Sequence, residues 1–400
     1  MNCGLLGRKL GHSYSPAIHA QLGDYEYHLY EKEPEELEAF LLCGDWDGIN
    51  VTIPYKTAVL PYLDIMTPIA TQLGAVNTII RRNGKLIGTN TDHFGFTALL
   101  QQSGLSPTGK KCLVLGSGGA SKVVEAVLRQ HGAEVIVISR QGEHNYTNLH
   151  LHQDAAIIIN ATPVGMYPNN GNAPVDLGLF PHLEGVLDLV YNPARTKLLI
   201  DAAQRNLVAV NGLSMLVAQA KEAAEWFTET AISNDKIGQI QSTMESQMEN
   251  IVLIGMPGCG KSTIGALLAQ KTGRTFVDTD AEIEKLAQKT IPQIFAEDGE
   301  AVFRDLESSV LEQLGKRSGL VIATGGGCVT RAQNYPLLHQ NATIYWLQRD
   351  LPLLPTEGRP LSVDVEELYR VRQPMYHQFA DRTADNNGTI EATLCQIIDP

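Results

Sequence analysis

Residues 251–273 read IVLIGMPGCGKSTIGALLAQKTG. An apolar run breaks at Gly255 into the spacing G-x-x-x-x-G-K-[ST], and helical periodicity resumes behind it. The stretch therefore predicts a strand, a phosphate-binding loop and a helix in direct succession. Glycines let successive backbone N–H groups turn inward around an anion, and the helix N-terminus adds positive potential. In this arrangement Gly258, Cys259, Gly260, Lys261, Ser262 and Thr263 form the cradle, Lys261 bridges β- and γ-phosphates, and Ser262 is placed to ligate Mg²⁺. The next apolar run ends FVDTD, which brings Asp278 and Asp280 to the carboxyl edge of a parallel sheet. Two residues apart on a strand, the two carboxylates share a face. One of them can hold hydrated Mg²⁺ while the other accepts a substrate hydroxyl proton, with helix capping the competing reading of both.

Outward from this loop the chain runs to 400 residues, more than one hydrophobic core usually organises. With 44% hydrophobic and 19% charged residues it reads as an ordinary globular protein. A formal charge of −13 speaks against a nucleic-acid or anionic-membrane surface, leaving small anions held by local basic residues. The six cysteines show no C-x-x-C spacing, so neither a disulfide framework nor a zinc site is expected. No apolar run reaches membrane-spanning length and the N-terminus has no signal-like apolar region, so a cytoplasmic protein is expected. Oligomeric state leaves no mark in the sequence.

Short apolar runs (CLVLG, EVIVISR, AAIIINAT, GVLDLVY, NIVLIG, TFVDTD, GLVIATGGG, ATIYWLQ) alternate with helical patterns, which predicts parallel sheets flanked by helices, an α/β protein. The composition turns polar over residues 232–248, an expected linker with its boundary near Gln247. Ahead of it we expect an α/β domain over 1–93, a Rossmann-like domain over 94–212, and a helix at about 213–231 returning to the first domain. Behind it, 249–400 form the phosphate-loop domain.

CLVLGSGGASKVVEAVLRQHG is again strand, glycine turn and helix, with Gly116, Ser117, Gly118, Gly119 and Ala120 placed for a dinucleotide pyrophosphate. Ser121 breaks the full G-x-G-x-x-G. The following strand ends in Ser139 and Arg140 rather than an acidic residue, which favours a 2′-phosphate and hence NADP, a solvated strand-end arginine being the alternative. In GHSYSPAIHAQLG, Ser15 reads as an N-cap and Pro16 as the first helical residue. Ser13 and Ser15 then lie where a carboxylate would bind, or merely cap. INVTIPYK carries Thr52 and Lys56 past a strand end. Asn83-Gly84 marks a two-residue hairpin that pairs Arg82 with Lys85 and Asn77 with Asn90, setting Asp92 on the face of Asn77, diagonally about 7 to 8 Å away.

Two resemblances gather these motifs. GMPGCGKST, DTD, DGEAVFRDLE, GGG, GRPL and RQPMY stand in the order seen in shikimate kinases, across 250–400. This implies ATP and Mg²⁺ as partners, shikimate held by Asp280, Arg304, Gly326 and Arg372 with the arginines on its carboxylate, and Arg359 reaching from a lid over the transferring phosphoryl group. The run before Arg359, LPLLPTEG, is shorter than usual and lacks a second arginine. GHSYSP, NVTIPYK, GAVNT, NTD, GSGGAS, INATPVGM, YNPARTKLL and GLSMLVAQA resemble shikimate dehydrogenase across residues 1 to about 240. The resemblance implies NADPH-dependent reduction of 3-dehydroshikimate, with Ser13 and Ser15 on the carboxylate, Thr52, Asn77, Asp92 and Gln219 on hydroxyls, and Lys56 with Asp92 as the catalytic pair. Residues 141–154 are close to the minimum for a crossover, so a stunted or missing helix is expected there. The rival reading is a quinate-type or NAD-preferring dehydrogenase fused to a nucleotide-sensing domain.

Overall fold

The computed structural model describes residues 1–11, 13–354 and 365–398. Arg359 and the lid expected around it lie outside the described residues. By internal contacts the chain divides into two compact units. One comprises Met1–Gly165, Asn172–Tyr191 and Leu198–Met244; the other comprises Met166–Gly171, Asn192–Lys197 and Glu245–Pro400.

The first unit holds two sheets. β1 (Asn2–Gly7), β2 (Glu26–Glu31), β3 (Gly48–Val51), β4 (Ile65–Met66), β5 (Thr78–Arg82) and β6 (Lys85–Thr89) form a sheet in the order β2-β1-β3-β5-β6-β4. It is mixed rather than parallel, because β3 and β6 both run antiparallel to β5. The β5–β6 hairpin has the expected register, with Arg82 opposite Lys85 and both Asn83 and Gly84 at positive φ, 49° and 73°. The second sheet, β11-β10-β9-β7-β8, is built from β7 (Lys111–Leu115), β8 (Glu134–Ile138), β9 (Ile157–Asn160), β10 (Gly185–Asp188) and β11 (Val208–Asn211). All its pairings are parallel. Only a short 3₁₀ turn, Leu149–His152, occupies the crossover between β8 and β9.

Helix Asp92–Ser103 leads from the first sheet to the second, and helix Leu213–Thr228 packs along it. Gly95 makes their close approach feasible: a Cβ there would stand 2.7 Å from the Met215 carbonyl oxygen. The far end of Leu213–Thr228 returns to the first sheet, where Phe227 joins Cys3 and Ile80 in a small core.

Among the described residues the second unit contains one parallel sheet, β13-β14-β12-β15-β16. Its strands are β12 (Asn250–Ile254), β13 (Thr275–Asp278), β14 (Leu320–Ala323), β15 (Ala342–Gln348) and β16 (Arg382–Asp385). The polar stretch expected as a linker contains a helix, Asp235–Met248. In both parallel sheets a glycine turn follows the strand at which the winding reverses, β7 in one and β12 in the other. The crevice beyond the strand ends opens at that point.

Candidate active sites

In the first unit a cavity of about 270 Å³ is lined by side chains from the first sheet, helix Leu213–Thr228 and the turn after β7. Ser13, Ser15, Thr52, Lys56, Asn77, Asp92, Ala120 and Gln219, all anticipated from sequence, line it together. The Lys56 ammonium donates to Asp92 Oδ2 at 2.6 Å, and Asn77 Nδ2 donates to Asp92 Oδ1 at 2.9 Å. Both carboxylate oxygens are thereby engaged, which holds Asp92 as an acceptor and aims the lysine.

Two local readings need correction. Asp92 does not continue the hairpin: it opens a helix, and so reaches Asn77 directly instead of across a sheet diagonal. Ser15 is the first residue of its helix, not the cap. The N-cap is Tyr14, and the Ser15 N–H is accepted by Ser13 Oγ at 3.2 Å. Sequence reasoning missed Asn50, which lines the same cavity between Tyr27 and Thr78. Its signal was the alternation of INVT, which puts Asn50 and Thr52 on one face.

The dinucleotide turn is suited to an anion. Gly116 sits at φ 104°, where a Cβ would crowd Thr162 and Ala161. Gly118 caps helix Gly119–Gln130 with no side-chain acceptor, so the first-turn N–H groups stay available. A Cβ added at Gly118 or Gly119 would meet open space, consistent with room for a phosphate. Ser139 and Arg140 follow β8, with Arg140 exposed and the Ser139 N–H donating to the His144 carbonyl at 3.1 Å.

The second unit has a cavity of about 500 Å³ beyond β12, β13 and β14. Gly258, Gly260, Lys261, Ser262, Thr263, Asp278, Asp280, Arg304, Gly326 and Arg372 line it. Cys259 is buried beneath the loop, with its carbonyl accepting from Asn386 Nδ2 at 2.7 Å. Gly255, Gly258 and Gly260 all have positive φ, and at Gly260, the uncapped start of helix Lys261–Thr272, a Cβ would strike Asn386. The Lys261 ammonium lies against the carbonyls of Gly255 and Met256, at 2.8 and 2.9 Å. Ser262 Oγ donates to Asp278 Oδ2 at 2.6 Å, an oxygen pair suited to Mg²⁺, which takes few protein ligands and completes its shell with phosphate and water.

β13 ends at Asp278, so the two aspartates do not share a strand. Asp278 caps helix Thr279–Ala287 by accepting the Asp280 N–H at 3.0 Å, and Asp280 turns into the cavity from the first helical turn. Burial, then the neighbouring Asp278 charge, pushes the Asp280 carboxyl above its ordinary value, and its buried Oδ1 has no hydrogen bond among the described residues. Glu307 went unnoticed in the sequence. Fully buried, it accepts from Arg304 Nη1 at 2.9 Å while its Oε1 has no hydrogen-bond partner, and burial raises its carboxyl too. The i, i+3 spacing of Arg304 and Glu307 in FRDLE was the available signal. Gly327 leaves the room that Arg304 fills, since a Cβ there would lie 2.4 Å from the guanidinium.

Fold and sites thus define a chain that pairs a dinucleotide-binding oxidoreductase with a phosphate-loop kinase. Residues 5–79 match the family model for the shikimate dehydrogenase substrate binding domain, and residues 257–399 match that for shikimate kinase. The shikimate dehydrogenase (NADP(+)) of Symbiobacterium thermophilum is 38% identical over 258 residues, 56% of this chain and 88% of that protein. A chorismate mutase/shikimate 5-dehydrogenase fusion protein from Clostridium acetobutylicum superposes with a TM-score of 0.58 at 34% identity, covering 61% of this chain and 97% of that one. The Thermus thermophilus shikimate 5-dehydrogenase in complex with NADP(H) and shikimate gives 0.55 at 31% identity, covering 61% and 99%. The chain belongs to the shikimate dehydrogenase family, and it carries a shikimate kinase domain behind that region.

Proposed function

We propose that this chain catalyses two consecutive steps: NADPH-dependent reduction of 3-dehydroshikimate to shikimate, then ATP-dependent phosphorylation of shikimate at its 3-hydroxyl. The observation that carries the first is the Lys56–Asp92 pair at 2.6 Å inside a polar cavity beside the dinucleotide turn. NADPH supplies the hydride when bound. As negative charge grows on the ketone oxygen, the Lys56 ammonium stabilises it and delivers the proton, with Asp92 holding the amine charged and aimed. Ser13 and Ser15 are assigned to the carboxylate; Thr52, Asn77, Asp92 and Gln219 to hydroxyls; Gly116 to Ala120 to the pyrophosphate; Ser139 and Arg140 to the 2′-phosphate.

In the kinase, Asp280 is the base. Its uncompensated Oδ1 is available to a substrate hydroxyl, while Arg304 and Arg372 are assigned to the carboxylate and Gly326 to the ring's polar edge. Lys261 and the loop amides balance phosphate charge, Ser262 and Asp278 are assigned to Mg²⁺, and Arg359 to the phosphoryl group. Domains at 1–93 with the returning helix, 94–212 and 249–400 accommodate both sites. Among the described residues no helix is long and apolar enough to cross a membrane, and a cytoplasmic location accords with this. The test is direct: NADPH oxidation with 3-dehydroshikimate and ADP release with shikimate must both occur, and absence of either removes that half of the proposal.

A further inference from the structure

The first sheet carries buried and half-buried polar side chains joined by a series of hydrogen bonds that ends on Asp92. Tyr27 on β2 reaches across β1 and donates its hydroxyl to Asn50 Oδ1 at 2.7 Å. Asn50 Nδ2 donates to Thr78 Oγ1 at 3.1 Å, and Thr78 Oγ1 donates to Asn77 Oδ1 at 3.1 Å. Asn77 Nδ2 completes the series on Asp92 Oδ1 at 2.9 Å.

A carboxamide has a donor end and an acceptor end, and a hydroxyl has a single hydrogen to give. The Thr91 N–H orients Asn77, and a fixed donor at the head of the series orients Asn50 and supports the same sense at Asn77. Tyr27 is that donor: burial pushes its phenol well above the ordinary range, so it keeps its proton. His19 stacks on the phenol ring at a centroid distance of 3.9 Å and holds it in place. With Asn50 Oδ1 turned to the phenol, Nδ2 faces Thr78, and the Thr78 hydrogen passes to Asn77 Oδ1. The Asn77 amide then meets Asp92 with nitrogen rather than with a carbonyl that would repel the carboxylate.

We propose that Tyr27 and Thr78, neither of which lines the cavity, are positioning residues for ketone reduction, acting through Asn50 and Asn77 to fix Asp92 and, through it, Lys56. This rests on the dehydrogenase reading above. The Thr91 N–H also donates to Asn77 Oδ1, at 2.7 Å, so cutting the relay loosens the amide without inverting it. The expected cost is that of about one hydrogen bond, a roughly two- to tenfold loss in kcat.

The test uses Tyr27→Phe and Thr78→Val in the full chain, with the NADP⁺ affinity and the urea unfolding midpoint of the dehydrogenase unit reporting that each preparation is folded. Each variant should lose kcat for shikimate oxidation about two- to tenfold with KM for NADP⁺ unchanged. The double variant should lose no more than the worse single one, since both cut one series. Thr78→Ser, which restores the hydroxyl without the methyl, should recover the wild-type rate. The Asn77 side-chain amide NMR resonance should move in Tyr27→Phe, a readout independent of substrate. Unchanged kcat and an unmoved Asn77 amide resonance in Tyr27→Phe, losses that multiply in the double variant, or a loss confined to KM for shikimate would each overturn the proposal. If the wild-type chain oxidises no shikimate, the dehydrogenase reading fails, while the Asn77 amide resonance still decides the relay.

Discussion

Lys56 and Asp92 are 36 residues apart, and their contact joins a residue within the turn after β3 to the first residue of a helix. Because the ammonium is engaged by Asp92 and not by the dinucleotide turn, Lys56→Ala should lower kcat for ketone reduction by about 10² to 10⁴. NADPH affinity, measured by fluorescence titration, should stay close to wild type; an equal loss of affinity would contradict the assignment. In the kinase, the elevated Asp280 carboxyl gives a sign to the pH dependence. A base that takes up its proton at higher pH than an ordinary aspartate loses activity earlier on acidification. The acid limb of the kinase kcat should therefore lie above 3.8, the ordinary aspartate value, and a limb at or below it would remove Asp280 from that role. Glu307→Gln tests the guanidinium's anchor: KM for shikimate should rise about tenfold, the scale of one charged hydrogen bond, with kcat little changed.

Helix Leu213–Thr228 is the element on which the dehydrogenase site most depends, since it presents Met215 and Gln219 to the cavity and docks Phe227 on the first sheet. It also carries Glu222, whose carboxyl is pushed up to about 7 by burial and then by the Glu225 charge, against a lowering by Lys221. A carboxyl that binds its proton more tightly when folded makes the unit lose stability as pH rises from about 4.5 to about 7. Glu222→Gln should flatten that decline, with a gain at pH 8 of up to about 3 kcal/mol read from urea inactivation of the dehydrogenase. A variant as pH-sensitive as wild type would show that the group is not buried as described. Elements with strong apolar runs were legible: β7, β8, β9 and β10, and β12, β13, β14 and β15, coincide with the runs quoted from the sequence. β11 (VAVN) and β16 (RTAD) were not, because both are four residues long and bury little, which leaves little periodicity to read. The Asn83-Gly84 turn fixed the hairpin register, yet that register misled at Asp92, where the chain leaves the strand and begins a helix. Glu307 was readable from helical spacing. The Tyr27–Asn50–Thr78 series was not, since its partners lie 23 and 28 residues apart and meet only once the sheet has formed.

At the scale of the whole chain, two cavities in two compact units each gather their own charged residues, and no catalytic side chain assigned to one lines the other. Two separate chemistries on one small cyclic acid is the central claim, and it predicts that the activities can be removed independently. The most direct measurement supplies purified protein with 3-dehydroshikimate, NADPH and Mg-ATP and follows NADPH, ADP and phosphorylated product together. Wild type should consume both cofactors and accumulate the phosphate ester. Lys56→Ala should stop NADPH oxidation yet still release ADP when shikimate is added, and Lys261→Ala should oxidise NADPH but stop at shikimate. Loss of both activities in either variant, or ADP release that does not depend on shikimate, would contradict the account.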